Sequence, residues 1–179
     1  MNEGLIPSRY AKALYKYALD KKEAERVYQQ MKQLDNSFES TAALKSTIDN
    51  PYLKAADKEK VLGIAAGAVA DDCLSRFFKL VIQNNRENLM RNMAIAYQDI
   101  YRRENSIEQV VITTAAALSD EEYARIQSIV EKQEKGKTLE YVKVVNPDII
   151  GGFSIRVETK ILDATIKNEI KKLRLKLLS

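Results

Sequence analysis

The chain has 179 residues, of which 45% are hydrophobic and 30% charged, enough apolar material for a real core and enough charge for a water-soluble surface. Lys and Arg total 29 against 25 acids, a net charge of +4, and there is no histidine and a single cysteine, Cys73. These counts disfavour imidazole acid–base chemistry, zinc and thiol redox sites. No apolar run approaches the roughly 18 to 20 residues that span a bilayer.

The N-terminal stretch MNEGLIPSRY has neither a charged segment leading into an apolar block nor an Arg- and Ser-rich, acid-poor character, so the chain reads as cytoplasmic. A first helix is predicted from about Ser8 to Lys21. Its Tyr10, Ala13, Leu14 and Tyr17 form one stripe and Ala11, Tyr15 and Ala18 an adjoining one. So wide an apolar arc implies a central place in a bundle or a second, external partner. The second helix carries Val27, Met31, Leu34 and Phe38 at steps of four, three and four. A short helical piece around Leu44 and Ile48 ends at Asn50-Pro51, where proline removes a backbone donor and biases its neighbour away from helix.

Asp57 to about Ala66 reads as another helix, through Val61, Leu62 and Ala65, with Gly67 as its terminator. The next, from about Asp71 to Asn84, presents Leu74, Phe77, Phe78, Val81 and Ile82 together, the most apolar surface in the chain. Cys73 falls in this pattern and reads as a buried, inert thiol. A long helix from Arg86 to about Asn105 has two stripes, Leu89, Met93, Ala96 and Ile100, then Met90, Ala94, Tyr97 and Tyr101, as expected of a helix contacted on two sides.

After Ser106 the pattern changes. Val110, Val111 and Ile112 predict a strand, and Ser119 and Glu122 stand at capping-box spacing before a helix running through Tyr123, Ile126 and Val130 to a stop at Lys135-Gly136. A second strand is predicted from about Leu139 to Val145, ended by Asn146-Pro147-Asp148. Phe153, Ile155 and Val157 alternate with Ser154, Arg156 and Glu158 in a third, and Gly151-Gly152 at its entry has a conformational explanation. Ile161-Leu162 gives a fourth strand, and Asp163 is placed to cap a last helix with Ile166, Ile170, Leu173 and Leu177 on one stripe. That helix is basic, with Lys167, Lys171, Lys172, Arg174 and Lys176 against Glu169. The fold class expected is therefore two-domain, an all-α bundle over residues 1–105 followed by a small α/β module over 106–179 whose limited core calls for a partner.

No phosphate-binding glycine loop, metal-ligand spacing or singled-out carboxylate pair is present, so no catalytic, cofactor-binding or metal site is assigned. The basic balance raises one rival, a helical nucleic-acid-binding or regulatory module.

The segment Arg9-Tyr10-Ala11-Lys12-Ala13-Leu14-Tyr15 resembles the opening helix of the delta subunits of F-type ATP synthases, whose mitochondrial relative is the oligomycin-sensitivity-conferring protein. The resemblance continues through Asn50-Pro51, Asn84-Asn85-Arg86, Val111 to Leu118, Asn146 to Phe153 and Asp163-Ala164-Thr165-Ile166. Glu87 is a departure, in the Arg86-Glu87-Asn88 stretch where the family more often has Arg-Leu. The resemblance implies a six-helix N-terminal bundle and a bacterial stator subunit with no cofactor, bound peripherally to the cell membrane, on its cytoplasmic side, through the complex alone. It further implies two partners and no nucleic acid. The N-terminal helix of an alpha subunit would dock on Tyr10, Ala13, Leu14, Tyr17, Leu74, Phe77, Phe78, Val81 and Ile82, between the first and fifth helices. The b subunit dimer of the peripheral stalk would dock on the module carrying Phe153, Ile155, Ile166, Ile170 and Leu173.

Overall fold

The computed structural model describes residues 4–68, 72–133, 138–158 and 160–178, which form eight α-helices and a four-stranded sheet. The chain divides into two compact units, the first ending at Glu104 and the second starting at Asn105.

Six helices build the first unit: α1 (Leu5–Asp20), α2 (Ala24–Ser40), α3 (Ala42–Ile48), α4 (Ala55–Ala66), α5 (Cys73–Gln83) and α6 (Met90–Glu104). The periodic apolar positions face inward, because a stripe recurring every three or four residues can leave water only on one side of a helix. Val27, Met31, Leu34 and Phe38 of α2 are buried, as are Leu44 and Ile48 of α3. In α4 the buried apolar positions are Leu62 and Ala66, with Val61 and Ala65 half-buried at the margin. Gly67 ends α4 at φ +62°, a left-handed conformation in which its N–H donates to Ile64 O and that of Ala68 to Gly63 O.

The long helix α6 is central. Met90, Met93, Ala94 and Tyr97 are fully buried, and the Tyr97 hydroxyl donates to Ala24 O at 3.0 Å, so the ring fills core volume without orphaning its polar end. Burial raises the Tyr97 phenol far above the ordinary tyrosine range. Tyr28 and Tyr101 stack at 4.4 Å between centroids, and Tyr15 meets Tyr97 edge-on at 6.0 Å. Arg86 does not begin this helix; a 3-10 turn over Glu87–Leu89 precedes it. Asp72 caps α5, accepting from Ser75 N at 2.9 Å, so the helix begins inside the expected start at Asp71, which lies outside the described residues.

In the second unit β1 (Ile107–Thr114) is followed by α7 (Asp120–Gln133), β2 (Thr138–Val145), β3 (Gly152–Val157), β4 (Lys160–Thr165) and α8 (Ile166–Leu178). The sheet order is β2-β1-β3-β4, with β1 parallel to β2 and antiparallel to β3. A parallel neighbour requires a crossover, which α7 supplies. Val110 pairs with Val157 and Ile112 with Ile155, and these four pack with Ile126 and Val130 of α7 into a small core. The capping box forms: Ser119 N donates to Glu122 Oε2 at 3.0 Å and Glu122 N to Ser119 Oγ at 3.4 Å. The helix stop expected at Lys135-Gly136 lies outside the described residues.

Asp163 is not the cap of α8. It sits in β4, where its carboxylate accepts from Thr165 Oγ1 at 2.7 Å and from Thr165 N at 3.0 Å, which hold its pKa below the usual range. The capping acceptor is Thr165 Oγ1, which takes the Asn168 N–H at 3.2 Å. Strand and helix thus meet with no intervening residue, one hydroxyl serving both.

Gly152 explains the paired glycines. Its φ is +75°, and a Cβ there would lie 2.2 Å from the Ala164 carbonyl oxygen of the neighbouring strand.

Candidate helix-docking groove and exposed C-terminal stripe

α1 and α5 lie side by side in the bundle without closing on each other. Between them runs an open groove of about 250 Å³ lined by Tyr10, Ala13, Leu14 and Tyr17 from α1 and by Cys73, Arg76, Phe77 and Leu80 from α5. On α1 Tyr10, Ala13 and Tyr17 line the groove and Ala11, Tyr15 and Ala18 enter the core, with the buried Leu14 at the border of the two faces, so the wide arc is divided between an outer and an inner face. The Tyr10 and Phe77 rings cross the groove floor edge to face, centroids 6.4 Å apart at 71°.

On α5 the division differs from the sequence expectation. Leu74, Phe78 and Val81 have no exposed surface and Ile82 is 7% exposed; they belong to the core and do not line the groove. At 100° per residue they cluster on one side of the helix, while Cys73, Arg76, Phe77 and Leu80 form the adjacent face. Phe77 stands on the border of the two. Cys73, Arg76 and Leu80 escaped the sequence reading because one is a lone thiol, one is charged and one is a leucine outside the densest apolar cluster. Together with Phe77 they stand at 0, 3, 4 and 7, and that spacing was the available signal. Leu80 is half exposed. Burial, with the acids Glu23 and Asp72 adding to it, pushes the Cys73 thiol up to about 11, so the thiol stays protonated.

Two cations stand over the Tyr17 side of the groove. Arg76 Nη1 donates to the Tyr17 hydroxyl oxygen at 3.1 Å, joining α5 to α1. Lys21 Nζ lies 6.0 Å from the Tyr17 ring centroid. Asp72, the α5 cap, also accepts from Gln30 Nε2 at 3.0 Å and lies 3.6 Å from Arg26, which fastens the start of α5 to α2.

In the second unit the five expected residues separate into two groups. Ile155 is 5% exposed and belongs to the core under α7, with Phe153 half-buried at its edge. Ile166, Ile170 and Leu173 are exposed. With Leu177 they form the apolar stripe of α8, and Ile170, Leu173, Arg174 and Leu177 border a shallow depression. No described side chain of α8 is buried. The helix packs on β4, and Ile161 and Leu162 of that strand are themselves more than half exposed. An amphipathic helix with its apolar face in water is one whose burial is incomplete in the isolated chain.

Among the described residues no group of three or more acidic or thiol side chains is gathered as a metal site, and no helix is long and apolar enough to cross a membrane. Residues 6–177 match the family model for the ATP synthase delta (OSCP) subunit. A Parabacteroides distasonis protein named ATP synthase subunit delta is 37% identical over 178 residues, 99% of this chain and 98% of that protein. A Phocaeicola vulgatus protein of the same name is 36% identical over 173 residues, covering 96% and 92% of the two chains. A chain in the cryo-EM structure of the Toxoplasma gondii mitochondrial ATP synthase hexamer shares the fold, with a TM-score of 0.73 over 97% of both chains at 19% identity. The chain therefore belongs to the ATP synthase delta (OSCP) subunit family, whose members are structural subunits of the synthase and carry out no catalysis themselves.

Proposed function

We propose that this chain is the stator subunit that ties the catalytic head of a bacterial F-type ATP synthase to its peripheral stalk, on the cytoplasmic side of the cell membrane. It resists the torque with which proton- or sodium-driven rotation would otherwise spin the head. The observation that carries this reading is the open apolar groove between α1 and α5. An amphipathic helix laid in such a groove leaves water on its apolar side only, the mode in which anchors at i, i+3, i+4 and i+7 enter one continuous strip. The N-terminal helix of an alpha subunit is the proposed occupant. A helix of about five turns burying several hundred Å² of apolar surface gains several kcal/mol at roughly 25 cal/mol per Å², before ordering costs.

The second attachment is the α8 stripe. Among the described residues the second unit has six buried apolar side chains in its core, while Ile166, Ile170, Leu173, Leu175 and Leu177 stand in water. A stalk helix of the b subunit covering them would complete a core too small to hold its own last helix tightly.

Gentle isolation of the tagged chain from its native membranes tests the function. The alpha, beta and b subunits should dominate what accompanies it. A preparation that contains the chain but neither alpha nor b overturns the reading.

A further inference from the structure

The groove is apolar at its floor, with the acids Glu23 and Asp72 at its Cys73 end and cations predominating along the two helices that wall it. α1 carries Arg9, Lys12 and Lys16 against one acid, Asp20, and α5 carries Arg76 and Lys79 with no acid at all. Lys79 is engaged away from the groove, 3.5 Å from Glu59 of α4. Arg76 is different: among the described residues it is the one charged side chain lining the groove, and it is bonded to a neutral hydroxyl, that of Tyr17. A guanidinium presents five donors in a planar fork, and a single phenol oxygen occupies one of them. Tyr17 is itself fixed in the groove wall, so its hydroxyl holds the guanidinium beside the path of any helix laid there.

We propose that Arg76 is a specificity-determining residue of this groove, and that it selects an amphipathic helix bearing a carboxylate at the edge of its apolar stripe. The inference rests on the groove reading above and adds the chemistry of the partner. A docked helix removes water from the groove edge, which lowers the local dielectric and strengthens a carboxylate–guanidinium contact relative to open solvent. It equally penalises a helix that brings a lysine or an uncharged edge to the same place. Lys21, beside the same tyrosine ring, adds positive potential of the same sign. The apolar floor supplies affinity, and the Arg76–Tyr17 pair supplies orientation, because an edge carboxylate satisfies it in only one rotational setting of the helix.

Two designed amphipathic peptides of about 20 residues test this. They share one i, i+3, i+4, i+7 leucine stripe and carry either Glu or Gln at the positions flanking it. Calorimetry on the full chain should find the Glu peptide bound about tenfold more tightly at about 50 mM NaCl, with the preference shrinking at about 500 mM. Arg76→Gln should abolish the preference while still binding both peptides, and Arg76→Lys should retain part of it. Circular dichroism confirms the fold of each variant; Arg76 is exposed and outside the core. Equal binding of the two peptides by the wild type, or a Glu preference that survives Arg76→Gln, overturns the role of Arg76 and leaves the groove reading standing. Failure of both peptides to bind the folded wild type removes the groove reading and this inference together.

Discussion

Lys58 Nζ lies 2.6 Å from Glu87 Oε1, joining α4 to the turn that leads into α6 with both side chains mostly removed from water, at 6% and 15% exposure. The pair explains how a carboxylate is accommodated at the start of that turn. Its second oxygen, Oε2, is buried without a hydrogen-bond partner among the described residues, so the ion pair is incompletely satisfied. Removing either partner should leave a buried charge alone and cost about 3–5 kcal/mol, whereas replacing both by apolar residues, Lys58→Met with Glu87→Leu, should be close to neutral or stabilising. Urea unfolding of the two single variants and the double variant measures this. A double variant as unstable as the singles would contradict it.

Gly152→Ala should loosen the second unit by about 2 kcal/mol or more, because the new Cβ meets a backbone oxygen and the left-handed φ disfavours any side chain. Gly151→Ala should cost less, since its Cβ would meet the far end of the Ile166 side chain, at 2.6 Å, which can rotate away. Amide exchange in β3 and β4 reads the difference. Equal exchange rates in the two variants would show that the close approach to Ala164 is not what requires glycine.

The capping box of α7 should make that helix sensitive to acid. The Ser119 backbone N–H and then its hydroxyl donate to the Glu122 carboxylate and hold its pKa below the ordinary 4.5. A depressed carboxylate pKa contributes stability that is fully present above the unfolded-state value and is lost as pH falls through the folded one. Amide protection of the first turn of α7 should therefore fall below about pH 4.5 in the wild type and show no such step in Glu122→Gln. A step of the same size in the variant would assign it to other carboxylates.

Helix stripes were legible because periodic burial is written directly into residue type: Val27, Met31, Leu34 and Phe38 could face only one way. Less legible was which of two adjacent apolar faces a helix turns inward. On α5 the cluster of Leu74, Phe78, Val81 and Ile82 reads as the strongest surface, and for that reason the core takes it, leaving Cys73, Arg76 and Leu80 to the groove. The same competition hides the cap of α8. Asp163 is the better cap by type, but β4 continues to Thr165 and its ladder holds Asp163 in the strand. Tertiary pairing overrides local preference there. The Lys58–Glu87 contact spans 29 positions and has no local signal at all.

Occupation of the α1/α5 groove by the N-terminal helix of an alpha subunit is open to site-directed photo-crosslinking in the assembled synthase. Ala13 is exposed on the groove wall, so Ala13→Cys carrying a benzophenone, in a Cys73→Ala background that removes the one other thiol, places the probe at an exposed position inside the groove. A second probe at Leu173→Cys reports on the α8 stripe. The probe at position 13 should crosslink to the first residues of an alpha subunit and the one at position 173 to the b subunit. Crosslinks from Ala13 to b, or none to alpha in a complex that still couples ATP hydrolysis to ion transport, would contradict it.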